Sequence, residues 1–208
     1  MYRHVSAAFL AVFLLFAAAN AQRAEVTVSL NEPFFDALLD AMFQNFDPPE
    51  FPIVESKSSG CNESIKILRE INGVRTAVRF RDGKIFVPLA FSGNYAPPFI
   101  GCVEFSGWAE SNIDIEFDKD GQRLIGRIRV LNVNLSGTGG VGGTLIAKML
   151  QGTIDKKINP IDILTLDKLS FAVPVSKAGN IKMKATAVRN EVSNGTLNVV
   201  VTYQFLKS

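Results

Sequence analysis

Four Asx-Gly dipeptides between strand-like runs constrain this chain more than any other feature: Asn72-Gly73, Asp82-Gly83, Asp120-Gly121 and Asn194-Gly195. A two-residue type I′ turn needs positive φ at both central positions, which Asn or Asp followed by Gly tolerates best. Each dipeptide therefore predicts an antiparallel hairpin, and the turn sets its register. About Asn72-Gly73, Glu70 should face Arg75. About Asp120-Gly121, Asp114 should face Arg127 and Asn112 should face Arg129, while Ile113 meets Ile128 and Phe117 meets Leu124. Charged pairs on one face and apolar pairs on the other describe a sheet with one wet and one buried side.

The run Arg123 to Leu135 changes phase partway along. Its arginines hold one parity, yet Leu131, Val133 and Leu135 continue on that same parity, so a bulge or a change of environment is expected near Val130. A meander should run from Lys66 to Leu89 and continue from Cys102 to Leu135. Leu169 to Val175, Ile181 to Val192 and Thr196 to Phe205 should then close the sheet.

Two helices interrupt the strands. After a strand at Glu25 to Leu30, Asn31 is placed to cap a helix with Glu32 and Pro33 in its first turn. Phe34, Phe35, Leu38, Leu39, Met42, Phe43 and Phe46 follow at helical spacing, leaving Asp36, Asp40 and Gln44 as one narrow polar stripe. Such a helix should be covered on most sides, and it should stop at Asp47-Pro48-Pro49. The second helix, Thr144 to Lys157, carries Leu145, Ile146, Met149, Leu150 and Ile154 on one face. The fold class expected is α+β: a strongly twisted antiparallel sheet, a meander of long hairpins, wrapped around two amphipathic helices.

Arg3 and His4 precede the apolar run Val5 to Ala19, and Ala19-Asn20-Ala21 ends it with small residues. That pattern is a secretory signal peptide over residues 1–21, shorter than the ~20 apolar residues that span a bilayer. Residues 22–208 are then expected to form a single domain, secreted or periplasmic, and soluble once the signal is cut. Its two cysteines, Cys61 and Cys102, most simply form one disulfide in such a compartment. The only histidine, His4, falls within the signal segment. A mature chain without histidine lacks the commonest general base at neutral pH and the commonest metal ligand. Charge is close to balanced, with 22 Lys and Arg against 20 Asp and Glu, and no basic stripe suggests nucleic acid.

Motifs that would restore catalysis have better structural explanations. Ser136 to Gly143 reads SGTGGVGG ahead of a helix, but Thr144-Leu145 stands where a phosphate loop needs Lys then Ser or Thr. Asp118-Lys119-Asp120-Gly121 opens like a calcium loop, yet Arg129 occupies the position of its bidentate glutamate. Asp114 and Glu116 are paired carboxylates as a glycosidase would use, but arginines face them. No catalytic residue, metal site or cofactor is assigned. Asn62, Asn134 and Asn194 begin glycosylation sequons, relevant in a host that glycosylates exported chains.

The stretch EVTVSLNEPFFDALLDAMF resembles the strand-into-helix opening of tubular lipid-binding domains, the superfamily of bactericidal/permeability-increasing proteins and their single-module bacterial relatives. TLIAKMLQGTIDKKINPIDILTLDKLSFAVPV resembles that superfamily's second helix running into a strand, and NIKMKATAVRNEVSNGTLNVVVTYQF its terminal antiparallel strands. The likeness is one of pattern and element order over most of the chain. This chain is long enough for one module where the best-known members join two, and the Pro-rich stretch Pro48 to Pro52 has no place in the pattern. The resemblance implies a curved sheet around a helix with an apolar tunnel. Phe34, Phe35, Leu38, Leu39, Met42 and Phe43 would line it, facing Leu145, Ile146, Met149 and Leu150. Met and Phe give a deformable lining suited to flexible apolar ligands.

The function expected is therefore non-enzymatic binding or carriage of an apolar ligand, a lipid or fatty acyl chain, with transient membrane contact compatible with it. The alternative is an extracytoplasmic protein–protein or envelope-assembly module in which the same helices pack a closed core.

Overall fold

Asn72-Gly73, Asp82-Gly83 and Asn194-Gly195 all carry positive φ at both residues, with Asn and Asp near 50° and Gly at 69–77°. These are the I′ hairpins their sequence dictates. At the fourth dipeptide the left-handed residue is Gln122, and the loop spans four residues between Asp118 and Arg123. Asp118 builds that loop: its Oδ1 accepts the N–H groups of Asp120 at 3.1 Å and Gly121 at 3.0 Å. A side chain bonding the backbone two and three residues on replaces the tight turn. The register survives, because both loops are symmetric about the same point.

The computed structural model describes residues 23–53, 61–96, 99, 101–136, 143–175 and 179–207. Residues 1–21, read as a signal peptide, lie outside them, as do residues 137–142 of the Gly-rich run. The chain divides into two compact units, a larger one of Thr27–Thr165 with Arg189–Val199, and a smaller one that includes Leu166–Val188 and Val200–Ser208.

The fold is α+β, with antiparallel twisted sheets and two helices. In the larger unit, β2 (Glu50–Pro52), β3 (Ser64–Leu68), β6 (Arg79–Arg81), β7 (Lys84–Tyr95), β8 (Val103–Asp118), β9 (Arg123–Leu135) and β10 (Ile161–Thr165) build one sheet. Its order is β10-β9-β8-β7-β3-β2, with β6 also on β7. The short hairpin β4 (Glu70–Ile71) and β5 (Val74–Arg75) stands apart as its own pair. In it Glu70 faces Arg75.

Along β8 and β9, Asp114 faces Arg127, Asn112 faces Arg129, Ile113 faces Ile128 and Phe117 faces Leu124. Ser111 faces Val130 but Glu110 faces Asn132, so Leu131 is the extra residue of a bulge. Ile128 and Val130 point to the core before it, and Val133 and Leu135 after it. The change of parity in the sequence is this bulge.

The closing strands do not extend the meander. β1 (Arg23–Asn31), β11 (Phe171–Val175), β12 (Gly179–Ser193) and β13 (Thr196–Lys207) form a separate sheet in the order β1-β13-β12-β11. The meander's own edges are taken by the short strands β2 and β10, and of the later strands it is β13 that pairs with β1. Pro48 to Pro52 finds its place here: Glu50–Pro52 is an edge strand, where a residue without an N–H costs no ladder bond.

The helices are α1 (Glu32–Asn45) and α2 (Gly143–Lys157). Gly143 is buried against β9, and a Cβ there would fall 2.8 Å from the Val133 carbonyl oxygen. Cys61 and Cys102 are disulfide-bonded across a Cα–Cα distance of 5.4 Å, just ahead of β3 and β8. In the smaller unit Ala185, Val188, Val201 and Tyr203 are buried. There the Tyr203 hydroxyl donates to the Leu169 carbonyl at 3.1 Å, and its ring meets Phe171 edge-on at 6.1 Å.

Candidate functional site

Helix α1 begins where Asn31 Oδ1 accepts the Phe34 N–H at 3.0 Å, with Pro33 in the first turn. Glu32, Asp36 and Asp40 recur every four residues and so form one stripe. Three arginines of the larger unit meet that stripe. Arg79 Nη1 bonds Asp36 Oδ1 at 3.1 Å and its Nε lies 3.7 Å from Glu32 Oε2. Arg69 Nε bonds Asp40 Oδ1 at 2.6 Å, and Arg75 Nη2 reaches the same oxygen at 2.9 Å. Arg69 also donates to the Thr76 carbonyl, and Glu32 Oε1 accepts the Phe80 N–H at 2.7 Å. The Arg69 guanidinium bonded to Asp40 holds that carboxyl below the usual carboxylate range.

The acidic stripe is therefore the docked side of α1, flanked by Phe35, Leu39 and Phe43, which are half-buried. Phe35 meets Phe80 edge-on at 5.8 Å. The other side is open: Phe34, Leu38 and Met42 are 48%, 45% and 43% exposed, and Phe46 is 71% exposed. This corrects the expectation of a helix covered on most sides. Asp36 and Asp40 of the expected polar stripe have cationic partners 29 to 43 residues away in sequence, so they turn inward while Phe34, Leu38 and Met42 turn out.

On α2, Ile146 and Leu150 are buried, Met149 packs beside them, and Leu145 is exposed. The residues expected to face one another across a tunnel are thus divided. Phe35 joins the cluster of Phe80, Ile85, Val87 and Leu197. Ile146, Met149 and Leu150 join a second cluster around Ile65, Phe91, Ala109 and Val133. Beside α2 an almost wholly apolar cavity of about 130 Å³ is lined by Pro49, Phe51, Ile67, Ile128, Leu150 and Ile158, among others. An apolar cavity of roughly 150 Å³ holds a benzene-sized molecule, and whole-ligand pockets run to roughly 300–1,000 Å³. This one accommodates a short hydrocarbon segment only.

Strand β11, expected as one of the closing strands, is exposed along its whole length. All five of its residues are exposed, Phe171, Val173 and Val175 included, and it forms one edge of the four-stranded sheet.

The carboxylates that could have carried chemistry are held in structural pairs. Glu116 accepts from Arg127 Nε at 2.8 Å and Asp114 lies 3.3 Å from Arg129 Nε, so each pair runs diagonally across the ladder. Asp118 is bonded to Gly121 and Asp120 backbone N–H groups and to Arg123, which together lower its pKa, Gly121 most. Among the described residues, no group of three or more His, Cys, Asp or Glu side chains converges as a metal site would require. Of the sequon residues, Asn62 and Asn194 are exposed and Asn134 is half-buried in β9. No described helix is long and apolar enough to cross a membrane.

No protein family and no curated protein sequence matches the chain.

Proposed function

We propose that this protein is an exported, non-enzymatic binder of an apolar ligand, a lipid or fatty acyl chain, held along the open stripe of α1. The observation that carries this is the inverted docking of that helix. Arginines consume its acidic stripe, while Phe34, Leu38 and Met42 stay open. An exposed run of large apolar side chains marks a binding surface more often than chance exposure. The disulfide supports export, since cytosolic thiols are kept reduced. The likeness of element order to tubular lipid-binding domains points the same way. The ligand makes only apolar contacts on the stripe, and each buried methylene contributes about 0.8 kcal/mol. Chains differing by one carbon should therefore differ no more than about fourfold in affinity.

Titration with a dansyl-labelled undecanoic acid tests this. A saturable fluorescence gain, displaced by oleate and lost in Leu38→Asp, is expected. No gain, or a gain that survives Leu38→Asp, contradicts the reading.

A second reading, a protein–protein module, is favoured by β11 alone. An exposed apolar edge strand is a template for strand addition by a partner chain.

A further inference from the structure

The opposite face of the larger sheet carries a site of another kind. At the disulfide end of the sheet, two neighbouring rungs are polar from strand to strand. Glu50 pairs Lys66, Lys66 pairs Ser92, and Ser92 pairs Ser106. One step along, Ser64 pairs Asn94 and Asn94 pairs Glu104. Residues two apart on a strand share a face, so these side chains project together. They floor a groove of about 460 Å³. Its edges are structured: the tip of the β4–β5 hairpin reaches it through Asn72 Nδ2, which donates to Ser136 Oγ at 2.6 Å. The Cys61–Cys102 disulfide ties together the segments that enter β3 and β8.

The chemistry of the lining narrows its ligand. Whole-ligand pockets of this size are ordinarily mostly apolar. Here hydroxyls, amides, two carboxylates and one ammonium dominate. Part of the set is already engaged: Glu50 Oε1 accepts from Ser64 Oγ at 2.6 Å and from Asn62 Nδ2 at 3.1 Å. Asn94 Oδ1 accepts the Ser64 N–H at 3.2 Å. Those bonds orient Glu50 and Asn94. Among the described residues, the side chains of Lys66, Ser92, Glu104 and Ser106 have no hydrogen-bond or ion-pair partner within the chain. Two carboxylates against one ammonium disfavour phosphate and other anions. A ligand that both donates and accepts at closely spaced points and carries no charge fits this set, because each hydroxyl does both.

We propose that this groove binds carbohydrate, independently of the apolar site on α1. Two sources supply that chemistry: a free saccharide, or the chain's own glycan, since Asn62 heads a sequon and rims the groove. The full chain is made in a non-glycosylating and in a glycosylating host and applied to an array of chitin, β-glucan, N-glycan and bacterial-envelope saccharides. Free saccharide as ligand predicts array signal at least tenfold above the Glu104→Ala/Ser106→Ala variant from both hosts. An Asn62-linked glycan filling the groove predicts signal from the non-glycosylated chain alone, restored to the other by Asn62→Gln. If no spot exceeds the double variant in either preparation, the proposal fails. Amide shifts on titration with the best saccharide keep the outcome clear of misfolding. Shifts confined to Ser92, Asn94, Glu104 and Ser106 support the groove, and shifts elsewhere overturn it.

Discussion

Replacing Arg69 with methionine should release α1 while leaving the sheet intact. Arg69 is the central cation of the ladder, with a side chain only 16% exposed. It bonds Asp40 at 2.6 Å and the Thr76 carbonyl, and its Nη2 lies 3.4 Å from the Asp36 carbonyl. A hydrogen bond to a charged group contributes about 1.5–3 kcal/mol, less where the partner is solvent-screened. Asp40 is 39% exposed, and methionine retains much of the packing of the arginine stem. The net loss should be about 2 kcal/mol, or about 30-fold in local opening of the helix. Arg75 reaches the same oxygen at 2.9 Å but is 49% exposed, so Arg75→Met should cost less than about 1 kcal/mol, under about sixfold. Amide hydrogen exchange over residues 32–45 reads both. Equal acceleration in the two variants, or none in Arg69→Met, would refute the idea that partly buried arginine contacts hold the helix by its acidic stripe.

Acid should loosen the same helix. The Asp40 and Asp118 carboxyls have folded pKa values below their unfolded ones, so their contribution is complete above about pH 4 and disappears as pH falls through the folded values. Protection of α1 and of the β8–β9 loop, taken relative to the intrinsic exchange rate at each pH, should fall only below that range, and a loss of protection between pH 5 and 7 would contradict it. Leu150→Ala should cost about 3–5 kcal/mol in urea unfolding, because Leu150 is buried and its truncation enlarges the cavity it lines. A loss below about 1 kcal/mol would mean that the helix moves inward instead. Replacing both cysteines with alanine frees a closure of 41 residues, worth about 4 kcal/mol in the chain-entropy model, and an unchanged urea midpoint would contradict it.

Strand pairing was legible because it is local. An Asx-Gly turn fixes every partner of its hairpin, and the arginine parity of β9 exposed its bulge at Leu131. Even where the Asp120-Gly121 turn proved wider, the register held, since Asp118 closes a loop with the same centre. What failed was long-range. Asp36 and Asp40 were visible in a polar stripe with Gln44, but their arginines come from β5, β6 and the segment after β3, whose nearness depends on the folded sheet. An acidic stripe without known partners reads as a solvent face. The division of Phe35 from Ile146, Met149 and Leu150 between two clusters depends on the folded sheet in the same way. The polar groove was hidden for a related reason. Ser64 and Lys66, Ser92 and Asn94, Glu104 and Ser106 each look like the ordinary wet side of one strand. Only the neighbouring of β3, β7 and β8 assembles them.

Binding of an apolar ligand is measured most directly by native mass spectrometry of the full chain purified from a host compartment in which its disulfide forms. Protein carrying discrete added masses that gentle activation removes, and that extraction identifies as lipid or fatty acid, is expected. Leu38→Asp should carry far less of them, because a carboxylate then interrupts the open stripe of α1. Bare protein in both preparations, with no uptake of added oleate, would contradict it.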